Sequence, residues 1–307
     1  MPDIILHHYA ISPYSEKVRA MLGFKGLSWK SVQQPMVMPK PDQLALTGGY
    51  RRAPVLQIGR DVYCDSRLIA RVLDRLQPQP PLVPAAHKAS CAAFAQLEST
   101  LFFTAIATAL QPAGLKAMAE RLGPQALDAF FKDRALIFTG ATPRPTAEYG
   151  RLNFLPLMSA LDSQLADRPF LLGGDATLAD FIVHHAVWFV HGNPGVAYQL
   201  DAFKNLLAWE ERIRGLGQGQ ATELSPADAL SIAREAREYQ PFDGPLLEPE
   251  GIKAGQRVRV QATDYACEPA EGTLLHASVF ELVLQRTDER AGEVRVHFPR
   301  SDFKVAA

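Results

Sequence analysis

Residues 53–73, APVLQIGRDVYCDSRLIARVL, carry two periodicities in succession. Pro54 to Ile58 reads as a strand, Gly59 to Asp61 as a tight turn, and Val62 to Cys64 as a second strand. A helix follows, capped by Asp65 or Ser66, with Leu68, Ile69, Val72 and Leu73 on one face. A proline opening an interior strand forfeits a ladder donor. A cis bond at Ala53–Pro54 is therefore expected, turning the backbone of Ala53 outward toward a peptide-like ligand. Asp65 then accepts from the ammonium of an amino-acid head group, while the hydroxyl and N–H of Ser66 donate to its carboxylate. The same pair also reads as a plain helix cap.

Upstream, Ile4, Leu6 and His8 alternate with Ile5 and His7, and a helical pattern through Val18, Met21 and Leu22 follows. Between them Ser12 and Pro13 mark the turn. Pro13 suits the first helical position because no helical acceptor would use its missing N–H, which leaves Ser12 as the N-cap. A hydroxyl there lies where free backbone N–H groups and the positive end of the helix dipole converge, a setting that stabilises a thiolate. Lowering a thiol pKa by about two units takes roughly 2.7 kcal/mol, within reach of one hydroxyl donor plus the helix terminus. Capping alone is the competing reading.

Downstream, QPQPPLVPAA at 77–86 places four prolines in ten residues and ends the first unit near residue 80. Residues 86–240 read as all-helical, with a polar loop at GATPRPTAEYG, residues 140–150. A second linker, Gln240 to Gly255, precedes a region of period two. There Val258 and Val260 alternate with Arg257 and Arg259, and Val294, Val296 and Phe298 with Arg295 and His297. Residues 250–307 are expected to form a small all-β module, barrel-like in the manner of an SH3 or OB fold. Its arginines, Arg300 included, show only the alternation of half-exposed strands, so nucleic-acid binding is not expected.

The chain has 307 residues, 47% apolar and 21% charged, with a formal net charge of -1. That balance gives no bulk attraction to nucleic acid or an anionic membrane. Cys64, Cys91 and Cys267 are too scattered for a disulfide framework or a CxxC metal site, and no continuous run reaches the roughly 18 apolar residues of a membrane span. A cytoplasmic protein is expected. His184, His185 and His191 share a helical stretch, but His184 and His191 on one face without a third ligand make a poor metal site.

ISPYSEKVR at 11–19, YRRAPVLQIGRDVYCDS at 50–66 with RLIARVL after it, the proline linker, and LLGGDATLADF at 171–181 occur in an order that resembles the glutathione transferase superfamily. The resemblance covers roughly residues 1–240. It implies an α/β thioredoxin-like N-terminal domain, residues 1–79, an all-α C-terminal domain, residues 86–240, and glutathione bound between them as co-substrate without a metal. It also implies a homodimer. Ser12 falls at the catalytic position, with Tyr9 and Ser15 as alternatives. Ala53 and cis-Pro54 fall where the cysteinyl backbone is gripped, Asp65 and Ser66 where the γ-glutamyl end is held, and Lys40 and Arg52 near the glycine carboxylate. Phe102, Phe103, His184 and Trp188 fall where a small apolar electrophile is bound, although each also reads as packing. Serine rather than cysteine at position 12 disfavours a mixed disulfide with glutathione. Thr177 and Asp180 have capping-box spacing and read as structural. Two functions follow: an enzyme that activates the glutathione thiol, or a non-catalytic interaction or regulatory protein using the C-terminal β module.

Overall fold

The computed structural model describes residues 3–138 and 146–307. The first unit runs β1 (Ile5–His8), α1 (Pro13–Phe24), β2 (Ser28–Gln33), α2 (Pro41–Thr47), β3 (Val55–Ile58), β4 (Asp61–Cys64) and α3 (Ser66–Leu76). β1 lies parallel to β2 and antiparallel to β3, and β3 pairs antiparallel with β4. This is the mixed sheet of a thioredoxin-like domain. The expected hairpin is present, and Gly59 supplies the positive φ of 58° that its turn requires.

The helical domain comprises α4 (Lys88–Ala109), α5 (Pro112–Leu122), α6 (Pro124–Leu136), α7 (Ala147–Gln164), α8 (Leu178–His191) and α9 (Lys204–Gly215). Proline at the first turn fixes where α1, α2, α5 and α6 begin. α8 is the central helix. Phe181, Ile182, Val183, Ala186, Val187 and Val190 are all buried in one core with Val18 and Met21 of α1. Asp180 accepts from the N–H of Thr177 at 2.8 Å and from its hydroxyl at 3.0 Å, and its other oxygen accepts from Leu171 N–H and Trp209 Nε1. The capping residue therefore also ties α8 to α9. Ala85–Ala109 is long and apolar enough by composition to cross a membrane, and within the fold α4 lies against α7 and α8. Of the polar loop expected at 140–150, residues 140–145 lie outside the described residues. Thr146 caps α7, accepting from Tyr149 N–H at 3.1 Å, so Ala147 to Gly150 form a first helical turn instead of loop.

Beyond α9 the chain departs from the all-helical expectation. β5 (Gln220–Glu223) pairs parallel with β2, and α10 (Pro226–Glu235) follows. β5 is exposed throughout and polar, so it carries no apolar alternation by which sequence could reveal it. The β-rich C-terminus contains β6 (Arg257–Ala262), β7 (Ala270–Ala277), β8 (Glu281–Asp288), β9 (Gly292–Pro299) and β10 (Phe303–Ala306), with β10 returning beside β6. These strands do not stand apart. β9 pairs parallel with β4, giving one sheet in the order β10-β6-β7-β8-β9-β4-β3-β1-β2-β5. The open edge that β4 would otherwise present is thereby covered. Val55, Val62 and Cys64 share a single core with Val258, Leu284, Val296 and Phe298. At this seam the buried ring of His297 bonds Asp61 and Glu281, both at 2.9 Å.

Candidate active site

The site is assembled at the carboxyl end of β1. Ser12 is 2% exposed and caps α1, its Oγ accepting from Ser15 N–H at 3.2 Å. That bond uses an acceptor lone pair, so the hydroxyl proton is left to donate into the neighbouring space. The space is a cavity of about 670 Å³ between the two domains. Tyr9, Ser12, Tyr14, Lys40, Arg52 and Ala53 form one wall, and Phe102, Phe103, Phe130, Phe131 and Phe189 face them.

A second recess, of about 20 Å³, is lined by Asp65, Ser66, Arg67 and Glu98. The two share Tyr14, Arg52, Ala53, Ser99 and Tyr265. The Ala53–Pro54 bond is cis. Asp65 has φ 75° and caps α3 by accepting from Arg67 N–H at 2.9 Å, a backbone region that side chains rarely adopt. Ser66 is held from below: Lys17 Nζ donates to its Oγ at 3.2 Å and to both oxygens of Glu98 at 2.7 and 2.9 Å. His185 Nε2 lies 3.0 Å from the same carboxylate. Burial alone would raise the Glu98 carboxyl, but Lys17 and His185 override it and hold it at about 2.

Lys40 is 3% exposed, and its Nζ donates to the carbonyl of Arg51 at 3.1 Å. Burial, with Arg134 and Arg51 adding repulsion, brings its ammonium down to about 8. Arg134 reaches the Tyr9 hydroxyl at 3.4 Å. Tyr9 thus presents its hydroxyl to a guanidinium at the cavity instead of to open solvent.

Several expected residues are placed differently. Arg52 is not available to a glycine carboxylate, because it pairs with Asp264, donates to the carbonyl of Tyr265, and lies over the Tyr265 ring at 3.7 Å. Ser15 is fully buried and does not line the cavity. His184 is in the core, its ring 6.2 Å from that of Trp209, and burial lowers it to about 3. Trp188 is also off the wall, and Phe189 takes the place expected of it, since one helical residue is a 100° turn. Phe102 and Phe103 line the cavity, Phe102 packed edge-on to Tyr14 at 5.0 Å. Cys64 is a buried small hydrophobe whose thiol burial pushes up. Among the described residues no group of three His, Cys, Asp or Glu is arranged to hold a metal ion.

Sequence reading missed Tyr14, Arg51, Arg134 and the β6–β7 loop. Asp264 and Tyr265 of that loop line the small recess, and Glu268 pairs with Arg51. The N–H of Ala266 donates to the carbonyl of Ile137 at 2.6 Å, so the loop bridges to the helical domain. Tyr14 and Arg51 adjoin residues already singled out. Nothing local in the sequence marks the loop.

Residues 6–81 match the family model for the glutathione S-transferase N-terminal domain, and residues 105–212 the model for its C-terminal domain. The crystal structure of a GST-like protein from Pseudomonas syringae is 38% identical, with a TM-score of 0.83, over 100% of this chain and 99% of that one. The β-rich C-terminus is therefore inside the shared length. A glutathione S-transferase from Rhodospirillum rubrum F11 is 18% identical over 69% of this chain and 87% of its own, with a TM-score of 0.51. FzlA from C. crescentus is 21% identical over 72% and 96%, with a TM-score of 0.50. These two share the fold. No curated protein matches the sequence.

Proposed function

The chain belongs to the glutathione transferase superfamily, and from that premise we propose that it binds glutathione and activates its thiol for attack on a small electrophile. One observation carries the reading. Ser12 and Ala53 line the large cavity while Ala53, Asp65 and Ser66 line the recess that adjoins it, so three sequence-distant elements converge on two neighbouring pockets. In this reading the backbone of Ala53 pairs with the cysteinyl unit, Asp65 and Ser66 take the γ-glutamyl end, and Lys40 takes the glycine carboxylate. The sulfur then lies at Ser12, whose hydroxyl donates to it. The thiol proton leaves to solvent, and catalysis is thiolate stabilisation plus proximity to an electrophile on the phenylalanine wall. A reducing cytoplasm, which three free cysteines favour, would supply the tripeptide.

Ser12→Ala removes the donor and leaves the rest of the path intact. Turnover is expected to fall about a hundredfold, the equivalent of roughly 2.7 kcal/mol, with glutathione affinity by calorimetry changed less than about threefold. Unchanged turnover would remove Ser12 from the mechanism.

Lys40 sets a pH signature. A carboxylate ligand needs its ammonium, so affinity is expected to be level below about 8 and to fall above it, where the free protein loses the charge. Dissociation constants measured across that range should rise in the wild type and stay flat in Lys40→Met. A flat wild-type profile would place the carboxylate elsewhere.

A second reading is a non-catalytic interaction or regulatory protein, favoured by the β6–β7 loop. At about 20 Å³ the recess at Asp65 and Ser66 has room for little more than one water molecule, so the γ-glutamyl end enters only if Asp264 and Tyr265 move. No heat with glutathione in the wild type, and binding restored in Tyr265→Gly, would favour that reading over the enzyme.

A further inference from the structure

Among the described residues six cationic side chains line the large cavity, Lys40, Arg51, Arg52, Arg121, Arg134 and Arg151, and no aspartate or glutamate does. Carboxylates set behind the wall answer only part of that charge. Asp133 serves both Arg51 and Arg134, Glu268 reaches Arg51, and Asp264 holds Arg52. Three acids against six cations leave a positive excess in a chamber whose remaining surface is largely apolar, phenylalanines among it.

The excess has an address. Lys40 lies on the side read as the peptide site. Arg121, in the last turn of α5, and Arg151, in the second turn of α7, belong to the helical wall, and neither lines the recess at Asp65. Neither has an ion pair or hydrogen bond to a described residue, and both are exposed at the rim. Glutathione held at Ala53, Asp65 and Ser66 would not answer them. A guanidinium presents a planar fork that matches a carboxylate or sulfonate. Phe102, Phe103, Phe130 and Phe131 offer ring faces and edges to a flat apolar body. A volume of about 670 Å³ is that of a drug-sized ligand site.

The geometry points to an aromatic acid as the second ligand: an electrophile whose ring packs on the phenylalanine wall and whose carboxylate or sulfonate is held by Arg121 and Arg151. Its role as second substrate rests on the glutathione reading above, while its charge preference rests on the cavity alone. The test is calorimetric titration of 2-naphthoate and 2-naphthamide, which share a ring system and differ in charge, into the wild type and into an Arg121→Gln/Arg151→Gln double variant. The acid is expected to bind the wild type about tenfold or more tightly than the amide, as a charge-assisted pair would give, and the preference is expected to drop below about threefold in the double variant. Both arginines are exposed, so the variant should fold. Equal affinities in the wild type, or a preference that survives in the double variant, would overturn the proposal. Reduced glutathione titrated into the same samples separates the two readings. Lost glutathione binding with the naphthoate preference intact would sink the peptide site alone, and the converse would sink the aromatic acid alone.

Discussion

Lys17→Met is expected to destabilise the protein by about 3–5 kcal/mol, because it leaves a buried carboxylate without its main partner. Lys17 is fully buried on α1, and its ammonium joins Glu98 of α4 and Ser66 of α3, with His185 of α8 on the same carboxylate. Four helices from both domains therefore meet at one charge. Without it Glu98 keeps only the imidazole and Arg67 at 3.9 Å. Burial then prevails, and the carboxyl takes up a proton at a pH where it is now ionised. Guanidinium denaturation at neutral pH measures the loss. Lys17→Met/Glu98→Leu should recover most of it, since removing both charges removes the desolvation cost. The wild type carries the matching acid signature. The folded Glu98 is depressed to about 2 from 4.5, so its stabilisation is present above 4.5 and lost as pH falls toward 2. A loss under about 1 kcal/mol in the single variant would mean that the ammonium contributes little beyond its desolvation cost. The site should register the change too, because Ser66 Oγ loses its donor and glutathione affinity should weaken.

What sequence disclosed and what it withheld divide by range. The hairpin at 53–66, the Ser12 cap and the Thr177–Asp180 box were legible because strand period, turn residues and caps act within a few positions. Ser12, Asp65 and Ser66 could be named as candidates for the same reason, since each caps or opens a helix, and Ala53 because it precedes the proline before β3. Arg52 reads locally as free for a carboxylate because its partners, Asp264 and Tyr265, stand more than two hundred residues later. The β4–β9 pairing was invisible for a related cause: alternation in β9 says which face is apolar, and nothing in it says which edge it joins. Trp188 and Phe189 are both half-buried neighbours on α8, and which of them faces the cavity depends on the helix's rotation against α4. The resemblance carried the site this far and stopped where the C-terminal strands begin. The loop that helps line the recess at Asp65 and Ser66 joins two of those strands.

That junction gives the other large effect. His297→Leu is expected to cost about 3–5 kcal/mol, since it strands two buried carboxylates on either side of β9. Asp61 of β4 and Glu281 of β8 are 0% and 1% exposed, and each keeps only a linker amide, from Gln240 and Asp243 respectively. The ring also stacks on Tyr63 at 4.3 Å, so leucine forfeits that contact as well. Burial opposes the charged imidazole, but hydrogen bonds to Asp61 and Glu281 outweigh it and raise its pKa above 6.5. A raised histidine contributes stability that is complete below 6.5 and lost as pH rises through the folded value. Glu281 is shifted the other way, its stabilisation complete above 4.5 and lost as pH falls. The seam between the thioredoxin-like sheet and the C-terminal strands is therefore tightest in mildly acidic solution and loosens on the alkaline side. Lys40 acts with the opposite sign there, because its folded ammonium is depressed toward 8 and burying it costs less once it is neutral. The wild-type curve alone would mix the two. Following the wild-type imidazole resonances by NMR isolates the histidine, since His297→Leu would also shift both carboxylates, and its pKa should lie above 6.5. A ring already neutral in mildly acidic solution would mean that His297 holds the seam by hydrogen bonding without charge.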